Sequence, residues 1–555
     1  MVWRSRSSNR RNKLKLPKSI VPGNARLKTF DYIVIGGGSA GCVMASRLAE
    51  QHEVLLLEAG PKHHAWDFRV HMPAALSEVL TSTAYNYGFH TESEAELSNR
   101  RLYCPRGRVL GGSSSINGMI FVRGNPRDFD RWETRYGCTG WGYQSVLPHF
   151  KSSEDRPGGD PLFRGLGGPQ RVQSSDVSGE LNQAWLAAGS ALGFPSTEDF
   201  NGAEQEGFGP FDASIADGRR QSTAVTYLDG RSTSGLTVQT GVTVNRLEFE
   251  GDRCVGVSWV NRKGGRPTQS SARKETVLCA GAIGTPQVLI RSGIGPEQAL
   301  KRLAISPVWT NDDIGEHLQD HLEIYVQAGI KKPVSIYPST RGLGKLRAGV
   351  EWYLLKSGAG ATNHFHAGAF LRSGLDAGYP DLQFHFLPIA MNYDGSQQVN
   401  HHGIQAHVGP MKPLSRGRVS IQSSDPFASP QIQFNYLSAE EDWAVMRRGI
   451  RLAEALLGEQ SFQSMGAWPL KHLGSDAELD EWIRLHAESA YHPCGTCRMG
   501  KAGEAPVSPE GEVWGVRNLR VVDASLMPEI TNGNLNAVVI MMAEKIAAQM
   551  LGVAV

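Results

Sequence analysis

The strongest constraint on the fold is a strand–turn–helix–strand pattern in residues 30–58, FDYIVIGGGSAGCVMASRLAEQHEVLLLE. A short apolar run at 32–35 leads into three glycines spaced G-x-G-x-x-G, namely Gly36, Gly38 and Gly41. A predicted helix and a second apolar strand follow, and that strand ends at Glu58, about 20 residues further on. Such glycines let a backbone approach a pyrophosphate, and the acid accepts hydrogen bonds from a ribose. The pattern predicts a dinucleotide-binding domain.

Length and composition exclude several classes of protein. The chain has 555 residues, of which 40% are hydrophobic, so at roughly 100–200 residues per domain it is too large for a single small binding module. Its mean hydropathy is −0.30, and it contains no uninterrupted apolar run of about 18 residues. We therefore expect no membrane-spanning helix, and a cytoplasmic or peripheral membrane location.

The charge is concentrated at the N-terminus. The net charge is +2, yet residues 1–30 hold nine basic residues and no acidic one, so the remaining chain is acidic. An acidic body argues against nucleic acid as a partner. The Arg/Ser-rich segment lacks the apolar core of a secretory signal, and we expect residues 1–29 to be a disordered basic tail. Targeting to an organelle such as the mitochondrion, and contact with an anionic membrane, stay open as alternatives.

The seven cysteines do not form a disulfide framework. Seven is an odd number, and a chain of this length does not depend on disulfides, so a reducing compartment fits best. The pair in Cys494-Gly-Thr-Cys497 lacks the second ligand pair of a zinc site. We interpret both residues as buried structural thiols and expect no metal site.

The fingerprint alone does not distinguish NAD from FAD, but the long chain that follows it suits a flavoprotein in which later stretches complete the site. Residues 107–118, GRVLGGSSSING, have small side chains where a loop would lie against a flat ring. Residues 276–287, TVLCAGAIGTPQ, read as a buried strand, a tight turn and a helix. Between them, 236–239 and 242–260 alternate like antiparallel strands around Gly251-Asp252, which predicts a hairpin.

From about residue 30 to the C-terminus the chain resembles the glucose–methanol–choline (GMC) oxidoreductases, a family of FAD enzymes. The resemblance rests on residues 107–124 and 281–295, and on the closing segments HPCGTCRMG at 492–500, LRVVDASLMP at 519–528 and NLN at 534–536. Within the family the chain is most similar to choline dehydrogenases, through WDFR at 66–69, RGNP at 123–126, NHF at 363–365, FHFLP at 384–388 and SRG at 415–417.

The resemblance implies an α/β fold, with a Rossmann-like FAD-binding domain and a discontinuous sheet-plus-helix substrate-binding domain. We expect the FAD-binding domain to comprise 30–160, 210–325 and 476–555. The substrate-binding cap would comprise 161–209 and 326–475. The oligomeric state stays open.

The resemblance and the motifs together imply FAD as the cofactor. The expected FAD-binding residues are Gly36, Gly38, Ser39, Ala40, Gly41, Glu58, Ala59, Arg108, Gly111, Gly112, Ser113, Asn117, Gly118, Val242, Ala280, Gly281, Asp523, Ala524, Asn534, Leu535 and Asn536. Some relatives carry at position 116 a histidine bonded covalently to the flavin, and this chain has Ile116. We therefore expect noncovalent FAD.

The implied reaction is oxidation of a primary alcohol to the aldehyde, as in choline dehydrogenases. Hydride transfer to flavin N5 requires a base of near-neutral pKa for the hydroxyl proton and a group that holds the developing alkoxide. By resemblance these are His492 and Asn534. The residues alone show only a loop histidine before a proline.

The expected substrate contacts are Trp66, His366 and His402. In choline enzymes a glutamate follows Asn-His-Phe and faces the quaternary ammonium, whereas this chain has His366 there. Histidines at 364, 385, 401 and 407 and Arg372 add to this polar set. A non-choline alcohol or a hydroxy acid, oxidised by an oxidase or a dehydrogenase, is therefore an alternative.

Hydroxynitrile lyases and light-driven decarboxylases have the same scaffold, and their activities are alternatives to alcohol oxidation. The decarboxylases lack a histidine at position 492 and use a cysteine in the cap, where 325–475 has none. The electron acceptor is expected to be a quinone-like carrier or O2.

Overall fold

The computed structural model describes residues 28–229, 234–375, 378–392, 399–472 and 474–554. The basic tail expected over residues 1–29 lies, up to residue 27, outside the described residues. Two sheets organise the rest of the chain, and each packs against its own helices.

The first sheet contains the predicted β-α-β unit. Strands Lys28–Ile35 and Val54–Glu58 pair in parallel and flank helix Ser39–Leu48, which confirms the prediction. The strand order is Leu236–Thr240, Val54–Glu58, Lys28–Ile35, Thr268–Leu278, Arg253–Val260 and Thr243–Glu250, with Leu519–Val521 also paired to Thr268–Leu278. The strands Thr243–Glu250 and Arg253–Val260 form the hairpin expected around Gly251.

The second sheet is antiparallel. Its order is Ala467–Pro469, Leu322–Ile330, Gly403–Pro410, Leu382–Leu387, Ala367–Leu371 and Gly207–Pro210, with Glu488–Ser489 also paired to Leu322–Ile330. Strands 367–371, 382–387 and 403–410 are buried along their whole length, because helices cover one face of the sheet and the other faces the rest of the molecule.

Short strands form small additional sheets. They pair Ile120–Phe121 and Gln173–Ser174 with Asp212–Ala213, Ile215–Ala216 with Arg219–Arg220, Ile294–Gly295 with Trp309–Thr310, Arg418–Ser420 with Gln431–Gln433, Phe89–His90 with Tyr103–Cys104, and Glu154–Asp155 with Gln170–Arg171.

Most of the helices pack into one of two large hydrophobic cores, but helix Gly342–Leu355 buries its residues outside both. The main helices are Ser39–Leu48, Pro126–Tyr136, Tyr143–Ser153, Glu180–Ala191, Gly281–Arg291, Glu297–Arg302, Gly342–Leu355, Glu440–Leu457, Asp476–His486 and Asn536–Leu551, with the shorter Phe68–His71, Leu76–Leu80 and Gln460–Gln463. Helices 39–48 and 536–551 pack together in the core of the first sheet, and helix 440–457 packs on the second sheet. None of the described helices combines the length and apolarity needed to cross a membrane.

The segment 476–489 lies with the second sheet, although the sequence placed it in the FAD-binding domain. Leu479 and Ile483 of helix Asp476–His486 are buried in the core of the second sheet. Strand Glu488–Ser489 then joins that sheet directly. The chain therefore crosses back to the first sheet only after residue 489.

The first and last helices of the described chain are tied by polar contacts. Ser39 Oγ donates to Asn536 Oδ1 at 2.7 Å, and Arg47 pairs with Glu544 at 2.9 Å. Gly41 makes the close packing of helix 39–48 on its own strand feasible, because a Cβ there would lie 1.7 Å from the carbonyl oxygen of Gly36. Backbone packing therefore requires a glycine at position 41, the last glycine of the motif.

We expect Gly41→Ala to lower the free energy of unfolding by about 3 kcal/mol or more, because the clash is with backbone that cannot move aside. The measurement is denaturant unfolding together with the FAD content of the purified protein. Gly349→Ala is the matched control, since nothing lies within 4 Å of a Cβ at that helical position. Equal stability of the two variants would contradict this account of Gly41.

Candidate active site

A large cavity lies where the two sheets face each other. Its volume is about 1040 Å³, and its walls combine the ends of the strands at Ile35 and Leu57 with Glu323, His385 and His407 of the second sheet. Loops at the carboxyl ends of parallel strands are the usual place for a ligand in an open α/β sheet. The cavity is thus bounded on one side by the dinucleotide fingerprint and on the other by polar side chains of the second sheet.

The fingerprint end of the cavity is built mainly from backbone. Gly36 has a φ of +99°, which glycine adopts without strain, and a Cβ there would lie 2.5 Å from the carbonyl oxygen of Cys279. Glu58 accepts from the backbone N–H of Gly37 at 2.8 Å and of Gly60 at 2.7 Å. Burial raises the pKa of Glu58 to about 7, against the effect of these hydrogen bonds. Glu58 therefore orders the strand end that forms this wall.

The later segments close over the same space. Gly112 has a φ of +53°, and a Cβ there would lie 2.6 Å from the Cα of Gly38, so the two glycine-rich loops touch. Asp523 accepts from the Gly281 N–H at 2.8 Å and from Thr285 Oγ1 at 2.6 Å. The carboxylate thereby fixes the turn that opens helix 281–291.

Nearly all the expected FAD-binding residues line this cavity. Only Gly41 and Gly111 of that set do not; the first packs behind the wall, and the second would place a Cβ 2.3 Å from Ser115 Oγ. Two observations fit a bulky polar cofactor. A Cβ on Gly281 would meet open space within 4 Å, and Arg108 Nε is buried without a hydrogen-bond partner among the described residues. The residues present thus fit FAD.

The predicted catalytic pair meets at the far end of the cavity. His492 Nε2 and Asn534 Nδ2 are 3.1 Å apart, although 42 residues separate them along the chain. Burial lowers the pKa of His492 to about 3, so the ring is uncharged near neutral pH. An uncharged imidazole has one nitrogen that donates and one that accepts.

Neighbouring groups determine which nitrogen of His492 accepts. His321 Nε2 lies 3.1 Å from the carbonyl oxygen of Met411, which can only accept, so this nitrogen carries the proton. Burial places the pKa of His321 well below its ordinary value, and its Nδ1 is therefore an acceptor. His492 Nδ1, at 3.1 Å, must donate to it. The lone pair of His492 is left on Nε2, beside Asn534.

The orientation of the Asn534 amide is also fixed. Gln383 Nε2 donates to Asn534 Oδ1 at 3.1 Å, so the Asn534 NH₂ group points at His492 Nε2. Gln383 and His385 are two apart on one strand, and both are buried. The pair is therefore held from two sides, by His321 and by Gln383.

Strand pairing brings His321 and His492 together. Leu322 pairs with Ser489, and the Ala490 N–H donates to the carbonyl oxygen of His321 at 2.9 Å. Asp320 accepts from the His492 backbone N–H at 2.6 Å. Burial raises the pKa of Asp320 to about 6, opposed by hydrogen bonds that include the Ser489 hydroxyl. This carboxylate anchors the main chain of His492.

Glu323 is a second buried carboxylate, and it faces the cavity. Its Oε1 lies 3.0 Å from His407 Nδ1, and its Oε2 lies 3.7 Å from His385 Nδ1. Burial raises the pKa of Glu323, but attraction to His407 and hydrogen bonds with both histidines lower it further, so the net pKa falls below its ordinary value. No lysine or arginine pairs with Glu323 in the described part of the chain.

A directed hydrogen-bond chain fixes the ring of His407. Gln405 Oε1 accepts from Gln327 Nε2 and from the Met391 N–H, both at 2.9 Å, which leaves its NH₂ group facing His407 Nε2 at 2.6 Å. His407 therefore accepts at Nε2 and donates at Nδ1 to Glu323. Glu323 thus accepts a directed hydrogen bond from His407.

Comparison with known proteins identifies the family. Models described as GMC oxidoreductase match residues 30–323 and 413–543. The chain belongs to the GMC oxidoreductase family. It is an FAD-dependent oxidoreductase that acts on CH–OH groups, and the expectations of fold class, cofactor and enzyme class are confirmed.

Relatives within the family resemble the chain along almost its whole length. It is 47% identical over 531 residues to an oxygen-dependent choline dehydrogenase of Chromohalobacter salexigens, covering 94% of this chain and 95% of the relative. It is 46% identical to the protein of the same name in Proteus mirabilis, covering 94% and 96%.

Solved structures of other proteins are similar in fold to this chain. A pyridoxine 4-oxidase from Mesorbium loti has a TM-score of 0.85 at 31% identity, covering 95% of this chain and all of that one. A formate oxidase of Aspergillus oryzae has a TM-score of 0.89 at 24% identity, covering 95% and 98%, and shares the fold.

The three expected substrate residues do not line the cavity of this GMC oxidoreductase. Trp66 is 66% exposed and stacks on His64. His366 hydrogen-bonds Thr362, with its Nδ1 3.4 Å from Asn182, and burial lowers its pKa. His402 contacts Ser335 Oγ at 2.7 Å. The carboxylate that faces the cavity from the second sheet is Glu323, so the residue at position 366 does not decide the charge there.

The other residues singled out in the sequence differ in whether they line the cavity. Ile116 lines it and is buried. Of the other histidines singled out, 364, 385 and 407 line the cavity and 401 does not, while Arg372 pairs with Glu206 at 2.7 Å. All seven cysteines are free and buried, and no group of metal-ligating side chains occurs among the described residues.

The residues that sequence reasoning missed are His321, Glu323, Gln383 and Gln405. They share a visible pattern with His385 and His407, which the sequence analysis singled out. Polar side chains two positions apart interrupt three otherwise apolar stretches, as His321 and Glu323, Gln383 and His385, and Gln405 and His407. Positions i and i+2 of a strand lie on one face of the sheet. This spacing on neighbouring strands was the signal for a polar wall.

We expect His321→Leu to slow anaerobic reduction of bound flavin by the alcohol substrate about ten-fold or more, because the acceptor that holds His492 Nδ1–H is lost. His321→Gln keeps an acceptor near that position and should retain most of the rate. The measurement is stopped-flow flavin bleaching across a pH series. Equal rates in the two variants, at unchanged FAD content, would contradict a positioning role for His321.

Proposed function

We propose that this GMC oxidoreductase oxidises choline, or a close analogue with a quaternary ammonium head, to the aldehyde. The observation that carries the proposal is Glu323, a largely buried carboxylate in the cavity wall that contacts His407 and His385 but no lysine or arginine among the described residues. A buried anion of this kind favours a cationic ligand that replaces lost hydration. The names of the 46–47% identical relatives support the same substrate.

Aromatic rings extend the complementarity to such a ligand. Phe365 lines the cavity, with its ring centroid 5.9 Å from that of His385 and 6.3 Å from that of His407, the two histidines that contact Glu323. Tyr491 also lines the cavity, next to His492. Rings beside a carboxylate provide cation–π attraction for a trimethylammonium group. A hydroxy acid would bring its own carboxylate against Glu323, which disfavours that alternative.

The groups for proton removal lie close to Glu323, since His321, two residues before it, contacts His492. The lone pair of His492 Nε2 faces Asn534 Nδ2, and it takes the hydroxyl proton when a substrate hydroxyl displaces that contact. The Asn534 amide N–H then steadies the developing alkoxide. The hydrogen bond to His321 Nδ1 stabilises the imidazolium that results. Bound FAD supplies the acceptor for the carbinol hydride.

The mode of FAD binding and the acceptor are part of the proposal. Ile116 has no atom able to bond a flavin methyl group, which supports noncovalent binding. The names of the relatives favour O2 as one acceptor, and a quinone-like carrier is the other.

We expect Glu323→Gln to raise the KM for choline roughly 30-fold, equivalent to about 2 kcal/mol, because a buried charge pair with the substrate is lost. Turnover of 3,3-dimethyl-1-butanol, the uncharged isostere of choline, should change little. The measurement is steady-state kinetics with both alcohols.

The matched control for this variant is Glu275→Gln, which removes a carboxylate paired with Arg520 on the first sheet. It should leave both KM values unchanged. If Glu323→Gln raises the KM for both alcohols equally, the enzyme does not select its substrate by charge.

We expect His492→Ala to slow anaerobic flavin reduction by roughly 10²–10⁴-fold, because the proton acceptor is removed. FAD content should persist, since the change lies at the far end of the cavity from the fingerprint. His402→Ala is the control histidine, outside the cavity, and should react at the wild-type rate. A fast His492→Ala enzyme would exclude His492 as the base.

A further inference from the structure

Helix Gly342–Leu355 presents an apolar stripe to solvent. Leu343 is 85% exposed, and Leu346, Val350, Tyr353 and Leu354 are also exposed. These positions are spaced by three, four, three and one residues, which places them on one side of an α-helix. The opposite side carries the buried Ala348 and Trp352. The helix is therefore apolar on both sides, although one side faces water.

The exposed residues form a continuous surface. A shallow groove is lined by Gly342, Lys345, Leu346, Gly349, Val350, Tyr353 and Leu354. Contiguous apolar patches of this kind mark sites of interaction with a protein or a membrane. We call the surface formed by Leu343, Leu346, Val350, Tyr353 and Leu354 the leucine face.

Basic residues accompany the leucine face. Residues 341–356 contain Arg341, Lys345, Arg347 and Lys356, against the single acid Glu351. Exposed leucines on a helix with lysines or arginines beside them are the combination that lies in the interface of an anionic bilayer.

The same charges argue against the other occupants. A second copy of the chain, docked face to face, would bring its own basic residues against these. The N-terminal segment 1–30 contains nine basic residues and no acid, so it would be repelled as well. An anionic surface is the occupant that both the leucines and the basic residues fit.

The leucine face lies beside the catalytic cavity. Lys345 and Ala348 of the same helix line the cavity, as do Ile336, Ser339 and Thr340 just before it. Lys345 also pairs with Glu78 at 3.0 Å, which joins the helix to another lining segment. A bilayer in contact with the helix would therefore lie next to the cavity wall.

We propose that the leucine face of helix 342–355 docks the enzyme on an anionic lipid bilayer, with the cavity wall turned toward the membrane. This surface would give the enzyme access to a lipid-soluble electron acceptor. The inference does not depend on which alcohol is oxidised.

The first test is co-sedimentation of the FAD-loaded full chain with vesicles. Wild type should pellet with phosphatidylcholine mixed with phosphatidylglycerol, and much less with phosphatidylcholine alone. The double variant Leu346→Ser/Leu354→Ser should lower the partition coefficient at least about ten-fold, because the two leucines that would be buried in the bilayer are lost. Its turnover with a soluble acceptor should match wild type, which shows an intact fold.

Leu162→Ser/Leu166→Ser is the matched control, since both leucines are 71% exposed and lie elsewhere on the surface. It should pellet like wild type. Equal pelleting of wild type and Leu346→Ser/Leu354→Ser would overturn the proposal, as binding would then reside in the basic tail. A wild type that stays in the supernatant with both vesicles would also overturn it, as would a dimer that the double variant converts to monomer.

A second measurement reports insertion directly, without removing the leucine face. Leu354→Cys is labelled with an environment-sensitive fluorophore, which is selective because the seven native cysteines are buried. Its emission should shift to shorter wavelength on addition of anionic vesicles. Leu166→Cys with the same label should not shift. The absence of a shift at position 354 would contradict docking through this helix.

Discussion

The backbone pairing of Leu322 with Ser489 is the contact on which the catalytic end of the cavity depends. It joins the second sheet to the segment that returns toward the FAD-binding side, and the Cys494 N–H continues the connection by donating to the Gln319 carbonyl oxygen at 2.9 Å. His321 and His492 lie on the two segments that this pairing joins. Their rings therefore meet because of main-chain geometry, and Asp320 holds the same main chain from the side.

From this junction, two hydrogen-bond chains with fixed direction determine the chemistry of the cavity. One runs from the Met411 carbonyl through His321 to His492 and leaves a lone pair on Nε2. The other runs from Gln405 through His407 and ends on Glu323. Each hydrogen-bond chain begins at a carbonyl that can only accept, or at an amide whose orientation other contacts fix. That first group determines which nitrogen of the histidine carries the proton. His492 Nε2 is thereby set to accept a proton and Glu323 faces the cavity as a carboxylate, the two features on which the proposed oxidation of a cationic alcohol relies.

Local signals in the sequence predicted the first sheet well. The glycine fingerprint and the turn at Gly251 each concern neighbouring residues, and both were confirmed. His492 and Asn534 came from family resemblance, since nothing in 42 residues of intervening chain shows that they meet. Glu323 was missed, and His366 was weighted in its place, because facing the cavity depends on which strands pair, and strand pairing is nonlocal. The segment 476–489 was misplaced for the same reason.

The contacts between helices 39–48 and 536–551 bear on how the protein is made. Ser39 and Asn536, which both line the cofactor cavity, are joined by a hydrogen bond across nearly the full chain. The first strand and its glycine turn leave the ribosome long before their packing partner, which follows 497 residues later. The fingerprint of the nascent enzyme therefore stays without that partner until helix 536–551 is made, and loss of this helix alone would remove one wall of the cofactor site.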